Sequence, residues 1–160
     1  MTGQWSGMLP PMDISPIYTR LFQGARPPLG TELSHAGFSV VVLCAEEYQP
    51  PTESFPGVEV LRCPLDDTQT PMPDATWHAI QATAQRVQRR IRANQNVLVT
   101  CQMGLNRSGI VSASALHYLT GSSGCSTAAF IQRRRRHALS NPQFVRELCA
   151  RLPELALRTG

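Results

Sequence analysis

Val97-Leu98-Val99-Thr100-Cys101-Gln102-Met103-Gly104-Leu105-Asn106-Arg107-Ser108-Gly109 is the stretch that decides how this chain reads. Its first apolar residues read as a short buried strand, and the apolar run from Ile110 to Leu119 reads as a helix. Between them stand a cysteine, a glycine-containing loop, an arginine and a serine. A loop that runs from a strand end to a helix N-terminus suits an anion. Its successive backbone N–H groups turn inward, and the helix end carries partial positive charge. The same field favours thiolate over thiol at Cys101. The stretch therefore describes a phosphate cradle with a nucleophile at its base.

Working outward, residues 38–45 (FSVVVLCA) form the strongest strand signal in the chain. The run is continuous rather than alternating, as expected of a strand covered on both faces. Residues 58–65 read as another strand, and residues 14–23 as an edge strand with its turn. Thr31 is placed to cap a short helix ended by Gly37. Asp74 is placed to cap a long one whose apolar face is Trp77, Ile80, Ala84, Val87 and Ile91. Ser126 is read as the cap of a later helix, and Asn141-Pro142 as the start of the last. Residues 108–132 contain no charged side chain, so the helix after the cradle is expected to be packed on most sides. Strands separated by helices predict a single three-layer α/β domain, its central, partly parallel sheet of about 4–5 strands flanked by helices. Residues 1–13 read as a loose tail and residues 14–160 as the domain. In such sheets ligands bind beyond the carboxyl ends of the strands, where Cys101 sits.

The chain has 160 residues and a formal charge of +4, with all 15 basic residues arginine. This modest basicity suits an anionic substrate and argues against nucleic-acid binding. No apolar run approaches a membrane span, and no secretory signal pattern opens the sequence. The 5 cysteines (44, 63, 101, 125, 149) are odd in number and lack metal-ligand spacing. They are expected to be free thiols in a reducing, cytoplasmic setting. Cys44, Cys125 and Cys149 are read as core residues; Cys63 lies on a strand that can approach Cys101.

Attack on a phosphoryl group needs partners. The loop amides and the planar Arg107 guanidinium can hold the equatorial oxygens. Ser108 can donate to the sulfur when the thiolate leaves. A departing oxygen also needs a proton, and such an acid is typically worth about 10²–10⁴-fold in rate. The concentrated source is Asp66-Asp67, on a proline-containing loop after a strand, where mobility would let it close over a substrate.

With these residues in place, the chain resembles the cysteine-dependent protein tyrosine phosphatase superfamily, in particular its small dual-specificity phosphatases. Cys101, Gly104, Arg107 and Ser108 carry the signature, and the Asp66-Asp67-Thr68-Gln69 loop resembles the acid loop. The resemblance implies a phosphotyrosine phosphatase-like fold and a cysteinyl-phosphate intermediate, with no metal and no cofactor. It implies Cys101 as nucleophile and Ser108 as the group assisting its departure. Phosphate would be bound by Arg107 and by the amides of Gln102, Met103, Gly104, Leu105, Asn106 and Arg107. The general acid aligns best with Asp67, with Asp66 competing. Where the family usually has histidine before the cysteine, this chain has Thr100, which leaves the tuning of Cys101 to the loop amides, Arg107 and Ser108.

The expected substrate is a phosphorylated protein or peptide, bearing phosphotyrosine and also phosphoserine or phosphothreonine. Residues 102–106 carry no basic side chain, which weighs against phosphoinositides. An RNA 5′-phosphatase would want a broader basic surface, and a rhodanese or arsenate reductase would not supply this Asp loop. A non-catalytic phosphate-binding module would be expected to lack Cys101 or the aspartate. Arg133, Arg134, Arg135 and Arg136 read as a solvated helix end, with docking of an acidic partner as the alternative.

Overall fold

Six consecutive buried residues make up β3 (Val40–Ala45), and that uninterrupted burial fixes it inside the sheet. The computed structural model describes residues 12–156. Around β3 lie β1 (Ile14–Tyr18), β2 (Leu21–Gly24), β4 (Glu59–Leu65) and β5 (Val97–Thr100), in the order β1-β2-β5-β3-β4. β2, β5, β3 and β4 run parallel, while β1 pairs antiparallel with β2 at one edge. Register sets Gly24 beside Thr100, Thr100 beside Leu43, and Ala45 beside Leu65. The carboxyl ends of four strands therefore share one margin, and the loops that follow them converge there.

Alternation sorts the strand residues between two cores. Val41, Leu43 and Leu98 face α1 (Glu32–His35) and Phe55. Val40, Val42, Val97 and Val99 face the larger layer, made of α2 (Asp74–Arg92), α3 (Arg107–Thr120), α4 (Gly124–Arg134) and α5 (Pro142–Arg151). The predicted face of α2 is buried throughout: Trp77, Ile80, Ala84, Val87 and Ile91 are all at or below 6% exposure. Each large member stabilises the layer by about 1.5–3 kcal/mol relative to an exposed side chain. α3 is buried from Arg107 to His117, as its lack of charge predicted.

Several local expectations are corrected. Pro73, not Asp74, stands at the N-cap of α2, and the Asp74 carboxylate instead accepts from Arg151 (3.1 Å). Ser123, not Ser126, caps α4, its hydroxyl accepting from the Ser126 amide (3.2 Å). Of the expected tail, residues 1–11 lie outside the described residues, while Asp13 pairs with Arg135 (3.0 Å). Among the described residues, no helix is long and apolar enough to cross a membrane.

The cysteines depart furthest from expectation. Cys125 and Cys149 are exposed rather than core, and they form a disulfide between the start of α4 and α5. The approach is permitted by Gly124, where any Cβ would collide with the Leu148 carbonyl. Cys44, Cys63 and Cys101 remain free thiols. The disulfide closes a separation of 24 residues, which removes about 3 kcal/mol of denatured-chain entropy. Cys125→Ser should therefore lower the unfolding free energy by about 2–4 kcal/mol without reductant and by almost nothing with it. Equal stability of the two proteins in denaturant titrations without reductant would show that the bond does not constrain the chain.

Candidate active site

The loop from Cys101 to Arg107 is held from behind. The Gln102 carbonyl accepts from the Arg26 amide (3.2 Å), and the Met103 carbonyl from Arg135 Nη2 (3.2 Å). The Gly104 carbonyl accepts from Arg135 Nε (2.6 Å) and from Gln23 Nε2 (3.0 Å). The Leu105 carbonyl accepts from the Leu139 amide (3.0 Å). In a trans peptide the C=O and the following N–H point in opposite directions. Four successive carbonyls turned outward thus turn the amides of residues 103–106 inward. Among the described residues, those amides donate to no protein acceptor, which leaves them available to an anion.

Gly104 makes the close packing possible. It adopts φ +71°, and a Cβ there would run into the Gly24 and Ala25 backbone. Gln23 and Arg135, 0% and 5% exposed, are the buried supports beneath it. The run of arginines is therefore not uniformly solvated. α4 ends at Arg134, Arg135 turns inward in extended conformation, and only Arg133, Arg134 and Arg136 are exposed. Arg134 stacks over Phe130 at 3.5 Å from the ring centroid.

At the base of the loop, Cys101 Sγ lies 3.3 Å from Ser108 Oγ, both buried. Cys44 and Cys63 sit in the same core cluster, with Cys44 on the strand between those leading to Cys63 and Cys101. The intervening strand separates Cys63 from Cys101, and both are unpaired. Burial pushes the Cys44 thiol well above its usual value, and the neighbouring Cys63 and Cys101 add to this. Burial likewise raises Cys63, opposed by the Thr83 hydroxyl. Both are held as neutral thiols. Thr100 is buried and donates to the Val42 carbonyl (2.8 Å), so it ties β5 to β3 and does not brace the loop.

Arg107 opens α3 with its guanidinium at the strand margin. Nη1 donates to Glu47 Oε1 (2.6 Å) and to the Leu65 carbonyl (3.1 Å); Nη2 donates to Glu47 Oε2 (2.8 Å). This bidentate pair fixes the guanidinium plane. The hydrogen bond with Arg107 holds the Glu47 carboxyl at about 2, and Arg107 is raised in return.

The two candidate acids separate. Asp67 Oδ1 accepts from Asn141 Nδ2 (2.6 Å), and Oδ2 accepts from Asn106 Nδ2 (3.1 Å), so Asp67 sits against the cradle. Asp66 is exposed. The loop carrying both is tied down at Asp67 and Thr68 by Asn141. Its far end is tied to α5 through the Met72 amide donating to Glu147 (2.8 Å) and Arg151 donating to the Met72 carbonyl (3.2 Å).

The structure thus brings together Cys101, Arg107, Ser108, Asp67 and the amides of the cradle. It adds Glu47 and Gln23, to which sequence reading gives no role at the site, and Arg135 and Asn141, which it reads as part of a solvated helix end and as a helix start. Glu47 had a usable signal, because it follows the strongest strand at the same margin that located Cys101. Among the described residues, no group of three or more His, Cys, Asp or Glu side chains is placed to hold a metal ion.

Comparison with known proteins bears on this geometry. The sequence model of the family described as "Dual specificity phosphatase, catalytic domain" matches residues 21–151. Human DUSP28 is 27% identical, superposes with a TM-score of 0.72, and is matched over 88% of this chain and 92% of its own. A mouse putative dual specificity phosphatase is 26% identical, with a TM-score of 0.75 and coverage of 89% and 88%. Tk-PTP in its active form is 25% identical, with a TM-score of 0.70 and coverage of 88% and 98%. No curated protein matches by sequence.

The Glu47–Arg107 pair yields a pH prediction. Glu47 titrates at about 2 in the folded state and near the ordinary carboxylate value of about 4.3 when unfolded. Its contribution is therefore present in full above the unfolded value and lost as pH falls toward the folded one. The stability difference between wild type and Glu47→Gln should be constant from about pH 7 to 5 and shrink steadily below about pH 4. A difference that stays constant through acid denaturation, followed by circular dichroism, would contradict the pairing.

Proposed function

The chain belongs to the dual-specificity phosphatase family, and from that premise we propose that it hydrolyses phosphomonoesters on proteins. Its substrates are phosphotyrosine together with phosphoserine and phosphothreonine, and the reaction passes through a cysteinyl-phosphate intermediate. The observation that supports this reading is the row of outward-turned carbonyls from Gln102 to Leu105, which leaves the intervening amides on the inner side of the loop that begins at Cys101.

In the first step the phosphoryl oxygens lie on these amides and on the free edge of Arg107. The Cys101 thiolate attacks phosphorus; the S–P bond forms and the bond to the leaving oxygen breaks. Asp67 gives its proton to that oxygen. In the second step water attacks phosphorus and passes a proton to the Asp67 carboxylate. The S–P bond breaks with its electron pair returning to sulfur, and the Ser108 hydroxyl, 3.3 Å away, donates to the thiolate as it departs. No step uses a metal. Fixed donors facing developing charge supply stabilisation without reorganisation.

Protein substrates are favoured by the cradle's side chains. Gln102, Met103, Leu105 and Asn106 give an inositol ring no cation to meet, and Met103 is 66% exposed at the rim, where it can contact a peptide. A nucleophilic thiol works only when reduced, which fits a cytoplasmic location. There the exposed Cys125–Cys149 bond would be open to reduction.

The test is steady-state hydrolysis of phenyl phosphate in the presence of a chelator. Cys101→Ser should abolish turnover, and phosphopeptides should be processed faster than phosphoinositides or 5′-triphosphate RNA assayed beside them. Turnover that survives in Cys101→Ser, or that needs added metal, contradicts the mechanism; a preference for lipid or RNA contradicts the substrate class.

A further inference from the structure

Asn141 joins three elements, two through its side chain and one through its backbone N–H. It is 3% exposed. Its Oδ1 accepts from the Gln143 amide (2.9 Å) and the Phe144 amide (3.3 Å), capping α5. With the oxygen committed to the helix, the amide nitrogen can face only the acid loop. There Nδ2 donates to Asp67 Oδ1 (2.6 Å) and to the Thr68 carbonyl (2.9 Å). Its backbone N–H donates to Asn106 Oδ1 (2.9 Å), and Asn106 Nδ2 reaches the other Asp67 oxygen (3.1 Å). The two asparagines are locked to each other, and each holds one oxygen of the same carboxyl group.

We propose that Asn141 is a positioning residue that sets the plane of the Asp67 carboxyl for proton transfer; this rests on the reading of Asp67 as the general acid. A protonated carboxyl has one O–H donor and spare lone pairs. The groups that meet Asp67 from Asn141 and Asn106 are N–H donors, which occupy lone pairs and cannot accept the acid proton. The O–H is therefore left without a partner on this side and is free for the leaving oxygen. Once the proton has gone, the same N–H groups offset the carboxylate charge until it takes a proton from water. The helix cap supplies the rigidity: rotating the Asn141 amide to release Asp67 would also uncap α5.

The discriminating measurement is kcat/KM against leaving-group acidity, because this ratio reports steps through cleavage of the P–O bond. Asn141→Ser and Asn141→Asp both keep a side-chain oxygen that can cap the helix and both remove the donor. Their thermal midpoints establish that each is folded. Each variant should lose about 10-fold in kcat/KM with phenyl phosphate, whose leaving group needs the proton, and less than about 2-fold with dinitrophenyl phosphate, whose leaving group does not. An equal loss on both substrates, or none on either, overturns the inference. Asp67→Asn is measured alongside. A steep loss there on phenyl phosphate, with unaffected Asn141 variants, removes the role of Asn141 alone. An Asp67→Asn protein that keeps full activity on phenyl phosphate removes the acid assignment and the inference together.

Discussion

Everything that this site can do depends on which way the peptide planes between Gln102 and Asn106 face. A loop left to itself would expose carbonyls and amides indifferently, and a carbonyl turned inward would repel phosphate. Here each outward carbonyl has a donor behind it, from Arg26, Arg135, Gln23 or Leu139. Arg135 contributes most, because one buried guanidinium serves two of these carbonyls and also meets Ser15 on the edge strand and Asp13 just before it. Removing it would strand carbonyl oxygens away from water, at a cost of about 1–3 kcal/mol for each group left unsatisfied.

Two of these supports, Arg135 and the Leu139 amide, lie in one connector. The residues between α4 and α5 supply Arg135, the Leu139 amide, Ser140 and Asn141. The connector reaches its targets by adopting unusual backbone, with His137 at φ 67° and Leu139 at φ 55°. Positive φ is unfavourable for side chains such as these and persists only where surrounding contacts over-determine it. Leu139 is buried, and its side chain occupies the space beside Gly109 that a Cβ there would need. The helices on either side of the connector are bridged by the Cys125–Cys149 disulfide. The Cys101–Arg107 loop, the Asp67 loop and the α4–α5 pair are thus joined by one continuous set of hydrogen bonds and a disulfide. Glu47, in the turn after β3, completes it by fixing the plane of Arg107.

How much of this can be read in a sequence follows from the range of each interaction. The strand, cysteine, glycine, arginine and serine of the cradle are contiguous, so their spacing alone carries the chemistry. The continuous apolar runs of β3 and β5 and the apolar face of α2 are likewise local patterns. The supports are not. Arg135 meets Gly104 across 31 residues and Gln23 meets it across 81. Nothing in a run of four arginines marks the one that turns inward. The disulfide was hidden for a similar reason: pairing Cys125 with Cys149 depends on how closely α4 approaches α5, which an odd count of cysteines does not report. The helix caps were misplaced by one to three residues, because Pro73 and Ser123 compete with equally plausible polar neighbours. Of the two aspartates, Asp67 is distinguished by Asn106 and Asn141, and only the fold brings Asn141 to it.

Donors behind the loop, Arg135 above all, turn its carbonyls away from the face where an oxyanion would bind. The most direct measurement is the dissociation constant of inorganic phosphate, by calorimetry at fixed pH and ionic strength, for wild type and for Arg135→Met, with folding of both checked by thermal melting. Loss of amide alignment should weaken phosphate binding by about 10-fold or more, equivalent to about 1.4 kcal/mol. A folded Arg135→Met protein that binds phosphate as tightly as wild type would contradict the claim, and would assign the orientation of the cradle to its own residues.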